Sequence, residues 1–201
     1  MIRHVLLDAD GVMQAIPEGQ LARAAPFLGE HADLLEDIFI EELPALRGES
    51  DFLADLRRAF ERHGIDVDTD EFYADLWNAI EVAPGSVDLV HRLRAAGYGV
   101  HLGTNQHRQR ATYMRQQLGY DELFDVSCYS CELGAAKPET EFFERALDLI
   151  GAAAGEVLFV DDNGGNVDSA RAAGLAAEHW HLDDGLERLA PLLARHGVSV
   201  S

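Results

Sequence analysis

From residue 84 onward, short apolar runs alternate with stretches of helical period, and that alternation leaves few folds open to the chain. The runs are GVHLGT at 99–104, DVSCY at 125–129, VLFVD at 157–161 and AAEHW at 176–180; a fifth, HVLLD at 4–8, stands near the start. Several are apolar nearly throughout, as strands buried on both faces are. Between the later runs, Val87, Val90, Leu93 and Ala96 share a helix face before Gly97, and Ala111, Met114 and Leu118 do so before Gly119. Phe142, Phe143, Ala146, Leu147 and Ile150 follow Pro138, and Val167 and Ala170 lead to Gly174. Strands alternating with helices imply βαβ units and right-handed crossovers. The expected fold class is α/β, a Rossmann-like parallel sheet between two helical layers.

The pattern breaks after the first run. Residues 18–82 contain no convincing strand and read as four helices, at about 18–28, 30–46, 51–63 and 69–82, with apolar faces such as Leu53, Leu56, Phe60 and Phe72, Leu76, Ile80. APGS at 83–86 reads as a turn back to the sheet. The expected organisation is a core of residues 1–12 and 84–201 with a helical cap inserted at 13–83. Charge marks the same division: residues 13–83 carry 17 acidic and 5 basic side chains, against 36 and 16 in the whole chain of 201. The formal net charge of −20 argues against nucleic acid and anionic membranes as partners. No apolar run approaches the roughly 18 residues of a membrane span, and MIRHVLLDADGV reads as a strand, not a signal peptide. Cys128 and Cys131 lack a second pair for zinc and read as reduced thiols, which suggests the cytoplasm. Monomer and homodimer both remain open.

Ligands of open α/β sheets bind at the carboxyl ends of the strands. There the sequence places Asp8, Asp10 and Gly11 after the first strand, Thr104 and Asn105 after the second, Lys137 in the loop after the third, and Asp161, Asp162 and Asn166 after the fourth. Each is unremarkable alone. Together, clustered carboxylates repel one another, and a divalent cation relieves the repulsion. Hard oxygen donors favour Mg²⁺, and Mg²⁺ beside a hydroxyl and an ammonium makes a phosphate site.

DADGV, GTN, KPETEFFERAL and FVDDNGGNVDSARAAG, in that order, resemble the haloacid dehalogenase superfamily, and the inserted helices resemble its helical cap. SCELGAAKPE also resembles the segment leading to the family's lysine. The resemblance implies a phosphotransferase in which Asp8 attacks phosphorus and forms an aspartyl-phosphate. It implies that Asp10 is general acid and then base, and that Thr104 and Asn105 bind phosphate together with the backbone N–H groups of Gly11 and Val12. It gives Lys137 the task of neutralising phosphate and nucleophile. Mg²⁺ is implied on Asp8, Asp162 and the Asp10 backbone carbonyl, with Asp161 assisting.

An acid at position 10 argues for a phosphoester over a carbon–halogen bond, since a halide leaves without a proton. To serve, Asp10 must be protonated near neutrality, well above the usual carboxylate pKa of about 3.9. The expected enzyme is a Mg²⁺-dependent phosphatase of a small phosphorylated metabolite such as a sugar phosphate. A phosphomutase using the same site and a non-enzymatic phosphometabolite sensor are the alternatives. Arg47, in the ALRGES turn between cap helices, is a candidate for substrate contact. HWH at 179–181 lacks a third metal ligand, and Phe72, Tyr73 and Trp77 read as cap core. Fifteen of the sixteen basic residues are arginine; Lys137 is the exception. Its three donors suit the Asp8 carboxylate, a phosphoryl oxygen and a backbone carbonyl or Glu132.

Overall fold

In this computed structural model, residues 1–17, 19–31 and 34–199 are described. The order of elements is β1 (His4–Leu7), β2 (Gln14–Ala15), α1 (Gln20–Leu28), α2 (Leu34–Leu46), α3 (Phe52–His63), α4 (Thr69–Trp77), β3 (Glu81–Val82) and α5 (Pro84–Ala95). Then come β4 (Gly99–Thr104), α6 (Arg108–Leu118), α7 (Tyr120–Leu123), β5 (Val126–Tyr129), α8 (Ser130–Leu133) and α9 (Thr140–Ile150). β6 (Val157–Asp161), α10 (Gly164–Ala172), β7 (Ala176–His179) and α11 (Leu186–Arg195) complete the chain.

Five strands form a parallel sheet in the order β5-β4-β1-β6-β7. Because side chains alternate along a strand, Val5 and Leu7 face one layer and Leu6 the other. Val5, Leu7, Val100, Leu102 and Val160 pack with Leu89, Val90 and Leu93 of α5 and Leu189 and Leu193 of α11. On the opposite face, Leu6, Val157 and Phe159 pack with Phe142, Phe143 and Ala146 of α9 and Val167 and Ala170 of α10. Chain order reverses around β1, which places the switch point, and hence the ligand crevice, where β1, β4 and β6 end.

The helices between β2 and β3 have an apolar core of their own, built from Phe52, Leu56, Phe60, Phe72, Leu76 and Trp77 among others. Phe72 and Trp77 are fully buried and Tyr73 nearly so. Asp51 and Asp68 cap α3 and α4 by accepting backbone N–H bonds, each worth about 1 kcal/mol.

Three expectations are corrected. The helix expected over 69–82 ends at Trp77, and residues 81–82 instead pair antiparallel with 14–15. The sequence Ile80-Glu81-Val82 suits extended backbone, and Ile80 and Val82 pack on the sheet core. APGS is less a turn than a helix start, with Pro84 in the first turn of α5, where its missing N–H costs nothing. The helix expected over 30–46 begins at Leu34, after a 3₁₀ turn at 29–31. Residue 18 and residues 32–33, which the expected cap helices included, lie outside the described residues. Cys128 and Cys131 are free and buried; burial pushes their thiols up to about 12 and about 11, which leaves little thiolate for redox chemistry. Among the described residues no helix is long and apolar enough to cross a membrane.

Candidate active site

Asp8 directly follows β1, and its N–H donates to the Val160 carbonyl, which fixes it at the carboxyl edge. Its Oδ1 accepts from the Ala9 N–H (2.7 Å) and lies 2.8 Å from Lys137 Nζ. Lys137 is buried, and Nζ also donates to Asp161 Oδ2 at 2.7 Å and the Gly103 carbonyl at 2.9 Å. The three donors of the ammonium thus meet three acceptors. Of the two partners the sequence offered beside Asp8, the backbone carbonyl is the one in place, at Gly103, while Glu132 forms a two-pronged pair with Arg115 at the surface; Asp161 is the partner the sequence did not suggest. Burial pushes the Asp8 carboxyl up to about 8, against the pull of Lys137 and with a push from Asp161 and Asp10.

Asp8, Asp161 and Asp162 each offer an oxygen, all within 4.8 Å of one another. These hard donors fit Mg²⁺. Asp161 is already engaged by Lys137, by the Asn163 N–H and by the Asn166 amide. The Asp162 carboxyl is pushed up by burial and by Asp161, the position of a carboxylate that a cation would relieve. Gly11 makes room for it: a Cβ there would lie 2.3 Å from Asp162 Oδ2, and the φ of +74° also favours glycine.

Thr104 ends β4, fully buried, with its hydroxyl accepting from Gln106 Nε2 at 3.0 Å. Asn105 exchanges two bonds with the Lys137 backbone, Nδ2 to O and Oδ1 from N, both 2.8 Å. Its amide therefore positions the lysine loop instead of facing a phosphate. The N–H groups of Gly11 and Val12, expected to meet phosphate, are used inside their own turn, by the Gln14 and Ala9 carbonyls. Tight closure onto β2 requires those bonds.

Arg47 is not brought to the site. Its guanidinium pairs with Glu139, with Nε 2.8 Å from Oε1. The reason is local: Gly48 packs so closely on the Cys131 carbonyl that a Cβ would sit 2.2 Å from it, and this seats the α2–α3 turn on α8, beside Glu139.

The residues that the sequence reading missed surround Asp10. Arg110 grips its carboxylate with both terminal nitrogens (Nη1–Oδ2 2.6 Å, Nη2–Oδ1 2.8 Å), and the amides of Gln14 and Gln106 each donate at 3.0 Å. Burial works to raise the Asp10 pKa, but Arg110 and the two amides outweigh it and hold the group below the usual aspartate range. The expectation of a protonated Asp10 is therefore corrected: here it is a carboxylate. Gln106 stands just before α6 and Arg110, four residues on, in its first turn, and nothing in that spacing marks them apart from solvated residues at a helix start. Both residues look back over the strand end.

Glu42 of α2 lies in the same seam and accepts from Trp77 Nε1 at 3.1 Å. Burial pushes it up to about 7, against the pull of Arg110 and the Trp77 bond. An acid whose pKa is raised by folding stabilises fully below its unfolded value, near 4.5, and that contribution is lost as pH rises toward 7. Glu42→Gln is therefore expected to match the native chain in urea unfolding at pH 4.5. At pH 8 it should exceed it by on the order of 1–3 kcal/mol; equal midpoints at pH 8 would refute the burial of a charge here.

A cleft of about 510 Å³ opens above this rim, lined by Asp10, Gly11, Ala15, Arg110, Asp162 and His181 among others. His179 lies outside the carboxylate cluster, with Nε2 2.7 Å from the Asp162 carbonyl.

Sheet order and rim together define a hydrolase class: residues 2–174 match the haloacid dehalogenase-like hydrolases, and the chain belongs to that family. Among curated proteins it is similar to a sesquiterpene phosphatase of Aspergillus oryzae, 35% identical over 98 residues, which are 49% of each chain. It is also similar to the pyrophosphatase PpaX of Bacillus cereus, 33% identical over 97 residues, 47% of this chain and 45% of the other. The matches thus span about half the length of these relatives. In fold it resembles a family enzyme of Bacteroides thetaiotaomicron solved with magnesium and inorganic phosphate. The TM-score is 0.76 at 21% identity, covering 89% of this chain and 94% of that one.

Proposed function

We propose that the chain is a Mg²⁺-dependent phosphatase acting on a small phosphorylated metabolite, with residues 13–83 serving as a cap over the core of 1–12 and 84–201. The carrying observation is Asp8 at the strand edge, with Lys137 on one oxygen and Asp161 and Asp162 within ligating distance. Asp8 attacks phosphorus while the bond to the leaving oxygen breaks, giving an aspartyl-phosphate and the leaving group as an anion, or as an alcohol where Asp10 carries a proton and gives it up. Water then attacks the same phosphorus, Asp10 accepts its proton, and Asp8 is restored as inorganic phosphate departs. Mg²⁺, held by Asp8 and Asp162 with Asp161 close by, would offset the charge of phosphate and carboxylates. Lys137 supplies a fixed positive charge beside the nucleophile, and the cap excludes water.

An ionised Asp10 matches the second step directly. The first step is then easiest with a leaving group that is stable as an anion, such as an aryl oxide or a phosphate; sugar phosphates need Asp10 to gain a proton on the way. The phosphatase names of the two curated relatives support the reaction class.

The test is phosphate release from an aryl phosphate and from a panel of sugar phosphates and diphosphates, with Mg²⁺ and with excess EDTA. Release that stops in EDTA supports the reading; release unaffected by EDTA, or halide release from a 2-haloacid in its place, contradicts it. Asp10→Asn is expected to slow turnover about 10²-fold, the usual worth of a proton-transfer group.

A further inference from the structure

We propose that Arg110 is a positioning residue that ties the seating of the cap to the alignment of Asp10. The inference rests on the phosphatase reading only in taking Asp10 as the proton-transfer group.

Arg110 stands in the first turn of α6, on the core side, and is 5% exposed. Its guanidinium reaches in two directions. The terminal nitrogens hold both oxygens of Asp10, and Nη1 also donates to Gln106 Oε1 at 3.0 Å. Nε points the other way and donates to the backbone carbonyl of Trp77 at 2.7 Å. Trp77 closes α4, so its carbonyl is among those that a helix leaves unpaired, at the negative end of the helix dipole. A planar fork with donors on separate edges can make this bridge; a point charge cannot.

The far end of the bridge is rigid. The Trp77 ring is stacked on Tyr73, edge-on to Phe52, and buried in the cap's own core. His107, one turn before Arg110, packs on Phe52 at 4.6 Å between centroids, so α6 meets the cap through apolar contact as well. The Trp77 carbonyl therefore moves with the cap, while Asp10 moves with the core.

A buried arginine against a half-exposed carboxylate is a poor way to gain stability, since desolvating the cation costs much of what the pairing returns. What this pair provides is a fixed orientation. With the cap seated, four donors hold Asp10: one from Gln106 on the core, one from Gln14 of β2, which the core's Tyr120 hydroxyl holds at 2.6 Å, and two from a guanidinium braced against the cap helices. With the cap lifted, Arg110 loses its Nε partner and lines an open cleft, and Asp10 keeps only its two amide bonds as firm supports. Asp10 is thereby set for proton transfer only when the cap has closed over substrate, which protects the aspartyl-phosphate step from idle opening.

A double-mutant cycle and hydrogen exchange test this together. Arg110→Gln is expected to lower kcat on an aryl phosphate about 30- to 100-fold with KM within about threefold, because the transfer step and not binding is impaired. Added to Asp10→Asn, the same change is expected to cost less than about threefold, because Arg110 acts through the residue already lost. Arg110→Lys, which keeps the charge and serves if the glutamine variant fails to fold, is expected to recover at most a small part of the rate. Independently of turnover, Arg110→Gln (or Lys) and Asp10→Asn should each speed amide exchange in α4 about tenfold while leaving β1 and β4 unchanged. Losses that multiply in the cycle, or α4 exchange unaltered by both changes, overturn the proposal. If the native chain releases no phosphate from any ester, the phosphatase reading fails, and the exchange result alone decides whether Arg110 joins Asp10 to the cap.

Discussion

Asp8→Asn is expected to abolish phosphate release while leaving the fold intact. In the native site Oδ1 is spoken for, by the Ala9 N–H and Lys137, so attack on phosphorus falls to Oδ2. Asparagine can still accept the two Oδ1 bonds, but it presents an amide nitrogen in place of the attacking oxygen. Losing a covalent nucleophile costs on the order of 10⁴- to 10⁶-fold in kcat, because the remaining groups stabilise a transition state that can no longer form. Stability should move the other way. The carboxyl of Asp8 is buried beside Asp161 and Asp162, and burial pushes its pKa up to about 8. A raised acid contributes fully below its unfolded pKa and loses that contribution as pH climbs to 8. Without Mg²⁺ at pH 8, the neutral amide is therefore expected to melt no lower than the native chain. Mass spectrometry of the phosphorylated protein gives a second readout: a phosphoryl adduct on Asp8 in the native chain and none in the variant. Measurable turnover by Asp8→Asn would remove Asp8 from the chemistry altogether.

The sheet was legible in the sequence because its strands are buried on both faces. VLFVD and GVHLGT have nowhere to lie but between two layers, and they became β6 and β4 within the expected bounds. The carboxylates of the rim were legible for a related reason: short polar motifs directly after buried strands have their positions set by the sheet, and Asp8, Asp161 and Asp162 came together as strand order required. The seam between the inserted helices and the sheet was not legible. Arg110 reads in sequence as one more solvated arginine on a helix with little apolar face; its role depends on where the Trp77 carbonyl and Asp10 end up after folding, 33 and 100 residues away. Arg47 misled for the same reason in reverse. A turn between cap helices can face the cleft or the flank, and the contact of Gly48 with Cys131 settled that in favour of the flank. Asn105 followed a rim motif in good order, yet both ends of its amide went to the backbone of Lys137. Spacing places a residue near a site; only the fold decides which partner takes its donors.

Lys137→Arg is expected to lose at least about 10²- to 10³-fold in kcat/KM although it keeps the charge, since a displacement of about 1 Å at the reacting atoms costs roughly 10²-fold. The ammonium sits at the meeting point of three acceptors, 2.7–2.9 Å away: Asp8, Asp161 and the Gly103 carbonyl. The rings of Phe159 and Phe142 close the remaining side, 5.3 and 6.0 Å from Nζ. A guanidinium is broad and planar, favours two-pronged pairing, and would have to push Asp8 or the aromatic floor aside to enter. Of the fifteen arginines only Arg110 is buried, where a planar fork is used; the others lie at least partly exposed, and the chain keeps its one lysine where only a compact charge fits. Removing the charge separates fit from electrostatics. Lys137→Met fills the space but leaves two buried carboxylates without their cation, a loss that typically costs about 3–5 kcal/mol. The methionine variant should therefore melt well below the native chain at pH 8, and recover toward it at pH 5 as the carboxyls take up protons. The arginine variant should show its defect chiefly in rate. An arginine variant with near-native kcat/KM would mean that the charge alone matters at this position, and that the packing of Phe142 and Phe159 around the ammonium has no part in the choice of lysine.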